Sequence, residues 1–182
     1  PLPDAPITLP RSVAHRGASE EAPENTLRAF RRAWELGVEC VELDVHVTKD
    51  GHVVVMHDAT TKRIGGRDRK IAEQTLAELR ELDVGGWMSP DFRGERIPTL
   101  GDVLATVPRG RTLFVEIKSG PETIPAIAAA IRRADPRPRG GDGGVAVDLD
   151  ELEVCHDGPP GVAALGALVE LAVGLLHTQG DR

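Results

Sequence analysis

The chain has 182 residues, 40% hydrophobic and 28% charged, a globular balance with room for one domain and a small appendage. No apolar run approaches the roughly 20 residues that cross a bilayer, so no integral membrane segment is expected. With 22 Lys plus Arg against 29 Asp plus Glu, a net charge of −7 and 3% aromatics without Tyr, neither a basic face nor a stacking surface for nucleic acid is on offer.

Ser12 to His15 is a short apolar run ending in Arg16-Gly17, a strand that leads into a loop. Pro23-Glu24-Asn25-Thr26 opens an amphipathic helix in which Asn25 or Thr26 is the cap. Leu27, Phe30, Ala33 and Trp34 recur at helical spacing, and Gly37 stands where a helix stops. From Cys40 to Val47 the residues alternate, with Val41, Leu43, Val45 and Val47 on one side and Glu42, Asp44 and His46 on the other, the period of a strand. Lys49-Asp50-Gly51 is turn chemistry, and Val53 to Met56 is a near-continuous apolar strand ending at His57-Asp58. A polar stretch to about Lys70, a helix around Leu76, Leu79 and Leu82, and a Gly-, Pro- and Trp-bearing loop from Gly85 to Pro98 follow. Thr99 or Gly101-Asp102 opens a helix through Leu104 to Val107. Thr112 to Ile117 reads as a fourth strand, and Ile124 to Ile131 as a helix after Pro121.

After Ala134 the texture changes to Asp135-Pro136-Arg137-Pro138-Arg139 and a Gly-rich run, which is linker composition. Val145 to Cys155 is acidic and fits a strand or no element, and Val162 to His177 has an apolar helix pattern. The expected division is therefore 1–134 as a βα unit series and 135–182 as an atypical tail. Cys40 and Cys155 match no disulfide framework and no zinc spacing, so both are read as reduced thiols. The chain begins at Pro1 and shows no charged-then-apolar leader. A cytoplasmic location is expected, or a secreted or periplasmic one if an upstream segment was removed.

Polar residues gather at strand ends: His15-Arg16-Gly17, Glu42-x-Asp44, His57-Asp58 and Glu116-Ile117-Lys118. In a barrel of parallel strands such ends converge on one mouth. Three carboxylates, Glu42, Asp44 and Glu116, make a hard oxygen cluster of the kind that holds Mg²⁺ or Ca²⁺. Taken singly, each has a plainer explanation. A Glu-x-Asp is usually a solvated strand face, His15 a satisfied core histidine, His57 a strand terminus with Asp58 as turn former, and Lys118 an ordinary charge. His46 and His52 are read as surface residues. It is the coincidence at four strand ends that favours chemistry.

Ala14-His15-Arg16-Gly17, Pro23-Glu24-Asn25-Thr26 with Ala29-Phe30, Glu42-Leu43-Asp44-Val45, and Val54-Val55-Met56-His57-Asp58 together resemble the glycerophosphodiester phosphodiesterase family. Ile97-Pro98-Thr99-Leu100 and Glu116-Ile117-Lys118 continue the match in order, over about residues 12–134. The resemblance implies an α/β fold of the (β/α) TIM-barrel type and metal-dependent hydrolysis of glycerophosphodiesters such as glycerophosphocholine to an alcohol and glycerol 3-phosphate. It implies metal ligands at Glu42, Asp44 and Glu116, with Mg²⁺ or Ca²⁺ as cofactor. It implies acid–base catalysis by His15 and His57, and substrate binding at the phosphate by Arg16 and Lys118. The substrate is then a small-molecule phosphodiester, and the adjacent glycerol hydroxyl attacks phosphorus first to give a cyclic phosphate that water opens.

A complete barrel takes about 250 residues, so 182 residues with four strands and a discordant tail predict an incomplete barrel of about four βα units. Truncation, or a change of reading frame near Asp135, would account for the break. Half a barrel leaves its first and fourth strands as open edges, to be covered by the tail, by a second copy in a homodimer or by another protein. Two alternatives follow: a catalytically inactive barrel remnant that binds metal or a partner, and a phosphodiesterase acting on lysophospholipids, for which Trp87, Met88 and Phe92 are the only apolar candidates. A glycosidase would use paired carboxylates but leaves two histidines and Lys118 without a task.

Overall fold

The computed structural model describes residues 12–134. The linker-like segment, the acidic stretch, the apolar helix pattern and Cys155 lie outside the described residues. The framework is a four-stranded sheet centred on β2 (Cys40–Val47), whose neighbours are β1 (Val13–His15), β3 (Val53–Val55) and β4 (Thr112–Ile117). Both β1 and β4 run parallel to β2 on opposite edges, in registers that pair His15 with Glu42 and Asp44 with Glu116. Paired residues share a face of the sheet, and so do residues two apart on one strand. The register therefore puts His15, Glu42, Asp44 and Glu116 on one face.

β3 differs from the parallel series. It pairs antiparallel with the far half of β2, Val45 with Val55 and Val47 with Val53, on the edge that β1 occupies lower down. The physical reason is the connection: Thr48 to His52 is long enough for a hairpin but far too short for the crossover that a parallel strand needs. Gly51 takes φ +81° in that turn, and the Thr48 hydroxyl donates to Asp50 at 2.6 Å. Because β3 runs backwards, its exit comes down beside the end of β1, with the Met56 amide donating to the Asp44 carbonyl at 2.9 Å.

The helices form where their caps predict. Thr26, not Asn25, caps α1 (Leu27–Glu35), its hydroxyl oxygen accepting from the Ala29 amide, and Gly37 ends it at φ +78°. The short α2 (Lys62–Gly65) lies in the polar stretch. Capping boxes Thr75/Glu78 and Thr99/Asp102 start α3 (Leu76–Arg80) and α4 (Leu100–Leu104). α5 (Ile124–Ala134) follows β4. Phe30 of α1, Leu100 and Val103 of α4 and Ile127 of α5 pack on Val41, Leu43 and Leu113 of the sheet. A second core, with Met56, Ile64, Ile71, Leu79 and Ile97, lies beneath the 57–98 segment. β3 serves both, giving Val53 and Val55 to the first core and Val54 to the second, as strand alternation requires. Each such fully buried side chain stabilises the fold by about 1.5–3 kcal/mol. β2 is consequently buried on both faces, Asp44 completely. Among the described residues no helix is long and apolar enough to cross a membrane.

Candidate active site

Glu42, Asp44 and Glu116 converge as the register requires, each offering an oxygen within 4.8 Å of the others. Burial and then the neighbouring charges of Asp44 and Glu116 push the Glu42 carboxyl up to about 7, against an ordinary 4.5. Glu42 Oε1 is buried without a hydrogen-bond donor. Asp44 Oδ1 has the Lys118 ammonium at 3.2 Å but outside hydrogen-bonding geometry. Three converging carboxylates with two under-satisfied buried oxygens are the donor set of a hard cation, and the residues present fit one.

Around the cluster stand the other residues predicted from the sequence. Lys118, also ion-paired with Glu116, is held charged because those two carboxylates outweigh the effect of its burial. The Arg16 amide donates to Glu42 Oε2 at 3.0 Å, an aim that requires φ +56°, unusual for a side chain with a Cβ. Its guanidinium reaches Glu24 at 3.2 Å, with Nε 3.4 Å from Asp44. The next residue has to be glycine: at φ +81°, a Cβ on Gly17 would lie 2.8 Å from the Ala29 backbone carbon. His15 is 65% exposed in its side chain, with Nε2 3.8 Å from Glu42. His57 enters from β3 rather than from a parallel strand, and its Nδ1 is 2.8 Å from Asp58 Oδ1. The carboxylate accepts from Nδ1–H, so in the neutral ring the proton sits on Nδ1 and Nε2 carries none.

Four residues in this network escaped the sequence reading. Asn25, displaced from the capping role, is buried at φ +57° and donates from Nδ2 to Asp44 at 2.9 Å. Asn tolerates the left-handed region better than most residues, which is the one signal its position carried. Glu24 and Arg63 form an ion pair at 2.7 Å, and Arg63 also binds Asp58. Asp58 is thereby drawn down to about 2, chiefly by the Arg63 hydrogen bond. His46 corrects the expectation of a surface residue. It is 6% exposed, its Nε2 lies 3.1 Å from the His57 carbonyl oxygen and burial pulls its pKa down. Alternation predicts only its side of β2, and there the His57 carbonyl, just beyond β3, meets its ring. His52 is exposed as expected. Trp87 is 46% exposed with its indole N–H donating to the Val84 carbonyl, and the Arg28 guanidinium lies 4.9 Å from the Phe92 ring centre.

The family model for the glycerophosphoryl diester phosphodiesterase family matches residues 15–132. A glycerophosphodiester phosphodiesterase of Caldanaerobacter subterraneus subsp. tengcongensis is 44% identical over 123 residues, covering 67% of this chain and 51% of that protein. The human glycerophosphodiester phosphodiesterase 1 is 38% identical over 110 residues, 59% of this chain and 33% of its own length. Among solved structures, an Oleispira antarctica phosphodiesterase in complex with the product sn-glycerol-3-phosphate superposes with a TM-score of 0.67 at 36% identity, over 71% of this chain and 54% of that one. A glycerophosphodiester phosphodiesterase from Thermotoga maritima gives a TM-score of 0.57 at 40% identity, over 66% and 49%. The chain thus spans about half the length of the relatives it matches, and its described sheet and helices are part of a TIM-type barrel.

Proposed function

Because the chain belongs to the glycerophosphoryl diester phosphodiesterase family, we propose that it hydrolyses glycerophosphodiesters to an alcohol and sn-glycerol 3-phosphate in a metal-dependent reaction. The observation that carries this reading is the convergence of three carboxylates within 4.8 Å, flanked by His15 and Lys118, with the Asp58-bound His57 next to the Met56 amide that bonds the Asp44 carbonyl. Glu42, Asp44 and Glu116 would hold Mg²⁺ or Ca²⁺. Bound there, the cation supplies positive charge to the phosphate oxygens and to the charge that builds in the transition state.

The chain's own residues account for the rest. A phosphodiester repels nucleophiles with its own charge, and Lys118 and Arg16 supply compensating charge at the phosphate. His15 and His57 act as an acid–base pair. One takes the proton of the adjacent glycerol hydroxyl as its oxygen attacks phosphorus. The other gives a proton to the departing alcohol oxygen. Water then opens the cyclic phosphate with the two roles exchanged.

Among the described residues β1 and β4 each have one paired edge, and a second copy would cover the others. Sedimentation velocity tests that homodimer, and a monomer at all concentrations counts against it. The activity is tested by release of glycerol 3-phosphate from glycerophosphocholine with Mg²⁺, with Ca²⁺ and with EDTA, beside a His15→Ala variant whose exposed side chain makes misfolding an unconvincing explanation. Metal-dependent release that vanishes in the variant is expected. No release from a folded, cation-binding chain would instead favour a non-catalytic metal-binding remnant.

A further inference from the structure

Arg63 lies on α2, outside every motif that pointed to the site, yet its guanidinium joins two of the site's loops. Nε and Nη2 donate to Asp58 at 2.7 and 3.1 Å, and Nη1 and Nη2 donate to Glu24 at 3.1 and 2.7 Å. Asp58 in turn accepts from Nδ1–H of His57 at 2.8 Å. Glu24 also accepts from Arg16 Nη1, and Arg16 Nε is 3.4 Å from Asp44. An unbroken line of charge-assisted contacts therefore runs from the His57 ring to the carboxylate cluster, with Arg63 at its middle.

We propose that Arg63 is a positioning residue: forked between Asp58 and Glu24, it holds the Asp58 carboxylate on Nδ1 of His57 and fixes that ring relative to the loop that carries Arg16 and Asn25. The inference rests on the reading of His57 as a proton-transfer group. An ordinary surface ion pair contributes little, because two flexible side chains must be ordered against well-screened charges. This one differs in two respects. It is bidentate to both carboxylates, a geometry that a planar guanidinium offers and an ammonium does not. Its backbone is also anchored, with Ile64 buried in the second core, the Gly65 amide bonded to the Thr61 carbonyl at 2.9 Å and the Thr61 hydroxyl to the Arg67 carbonyl at 2.7 Å. Without the fork, Asp58 can rotate off the imidazole, and His57 loses the partner that selects its Nδ1–H tautomer.

Arg63→Gln and Arg63→Lys variants of the full chain test this by two readouts. The first is the ¹⁵N shifts of the His57 ring, identified by their loss in His57→Asn. The second is steady-state hydrolysis of glycerophosphocholine with saturating Mg²⁺ or Ca²⁺. In the wild type His57 is expected as one Nδ1–H tautomer, and in Arg63→Gln as a mixture. The glutamine variant should lose about 10–100-fold in kcat with KM unchanged, as when the partner that orients a catalytic histidine is removed. Lysine restores the charge without the fork and recovers only part of that loss. An unchanged tautomer in Arg63→Gln overturns the positioning, whatever turnover does. A tautomer change in a chain that hydrolyses no glycerophosphodiester supports the positioning and overturns the activity it was meant to serve.

Discussion

Glu42→Gln is expected to make the metal-free chain more stable while destroying its use for a cation. Glu42 accepts the Arg16 amide through one oxygen, and its other oxygen is buried without a donor against Asp44 and Glu116. Burial first, and the two neighbouring carboxylates second, raise its carboxyl from 4.5 to about 7. The folded chain therefore holds the Glu42 proton more tightly than the unfolded chain does. Its stabilising contribution is complete below about pH 4.5, declines as pH rises and is gone above about pH 7. At pH 8 in EDTA the ionised carboxylate costs the fold on the order of 3 kcal/mol. Glutamine keeps the acceptor for Arg16, turns the orphaned oxygen into a donor facing two carboxylates and removes the charge. Thermal unfolding followed by circular dichroism should show the variant above the wild type by about 10 °C at pH 8 in EDTA. Near pH 4.5 the two should coincide. Excess Mg²⁺ or Ca²⁺ should raise the wild type at pH 8, much less at pH 5 where protons compete for the ligand, and leave the variant nearly unmoved. Equal differences at both pH values, or a wild type that gains stability in EDTA as pH rises through 7, would refute the reasoning.

Gly17→Ala forces a Cβ against the Ala29 backbone at φ +81°, and denaturant titration should report a loss of about 1–3 kcal/mol. Asn25→Ala removes the amide that donates to fully buried Asp44; leaving that oxygen without its hydrogen-bond donor, with the Arg16 ion pair at 3.4 Å alone, costs about 1–3 kcal/mol in EDTA, read by the same titration, and cation affinity measured by calorimetry should fall as well. In a Cys155→Ser variant, the remaining Cys40 thiol, buried and pushed up to about 11, should react with a thiol-specific aromatic disulfide only after denaturation, which absorbance at neutral pH can follow.

Where the sequence carried a local, periodic or capping signal, the fold was legible. Thr112–Ile117 is a strand with the predicted bounds, and Thr99 opens its helix through a side chain whose chemistry is written in the sequence. The carboxylate cluster was legible because period-two alternation puts Glu42 and Asp44 on one face, while the strand-end position of Glu116 added the third. What escaped depends on tertiary direction. The Val53–Met56 run reads the same whichever way it pairs, so periodicity alone could not show that β3 turns back. That reversal brings His57 to the end of β1 and buries His46 beneath it. Asn25 was obscured by a competing local role, since Asn and Thr are comparable caps and only packing assigns the cap to Thr26 and Asn25 to Asp44. Arg63 gave no signal, because a salt bridge 39 residues apart in sequence has no period.

Among the described residues, the left-handed non-glycine backbone and the crowded carboxylates fall in one place, and the architecture explains why they are tolerated. Arg16 and Asn25 hold left-handed backbone without being glycine, and three carboxylates are pressed together with Asp44 wholly enclosed. A non-glycine residue in that conformation costs on the order of 1–3 kcal/mol, and the surroundings must overdetermine it to keep it. Here they do. β2 is paired along both edges, β4 spans Cys40 to Val45 in unbroken register, and hydrophobic cores lie against the elements on either side. The Asn25 amide bonds the Arg16 carbonyl at 3.0 Å, so the two left-handed residues brace each other. The best-supported strand of the described fold thus carries its least comfortable side chains. That is the distribution expected if the repulsion at Glu42 is retained for a cation that would relieve it, because a purely structural strand would gain stability by replacing that carboxylate.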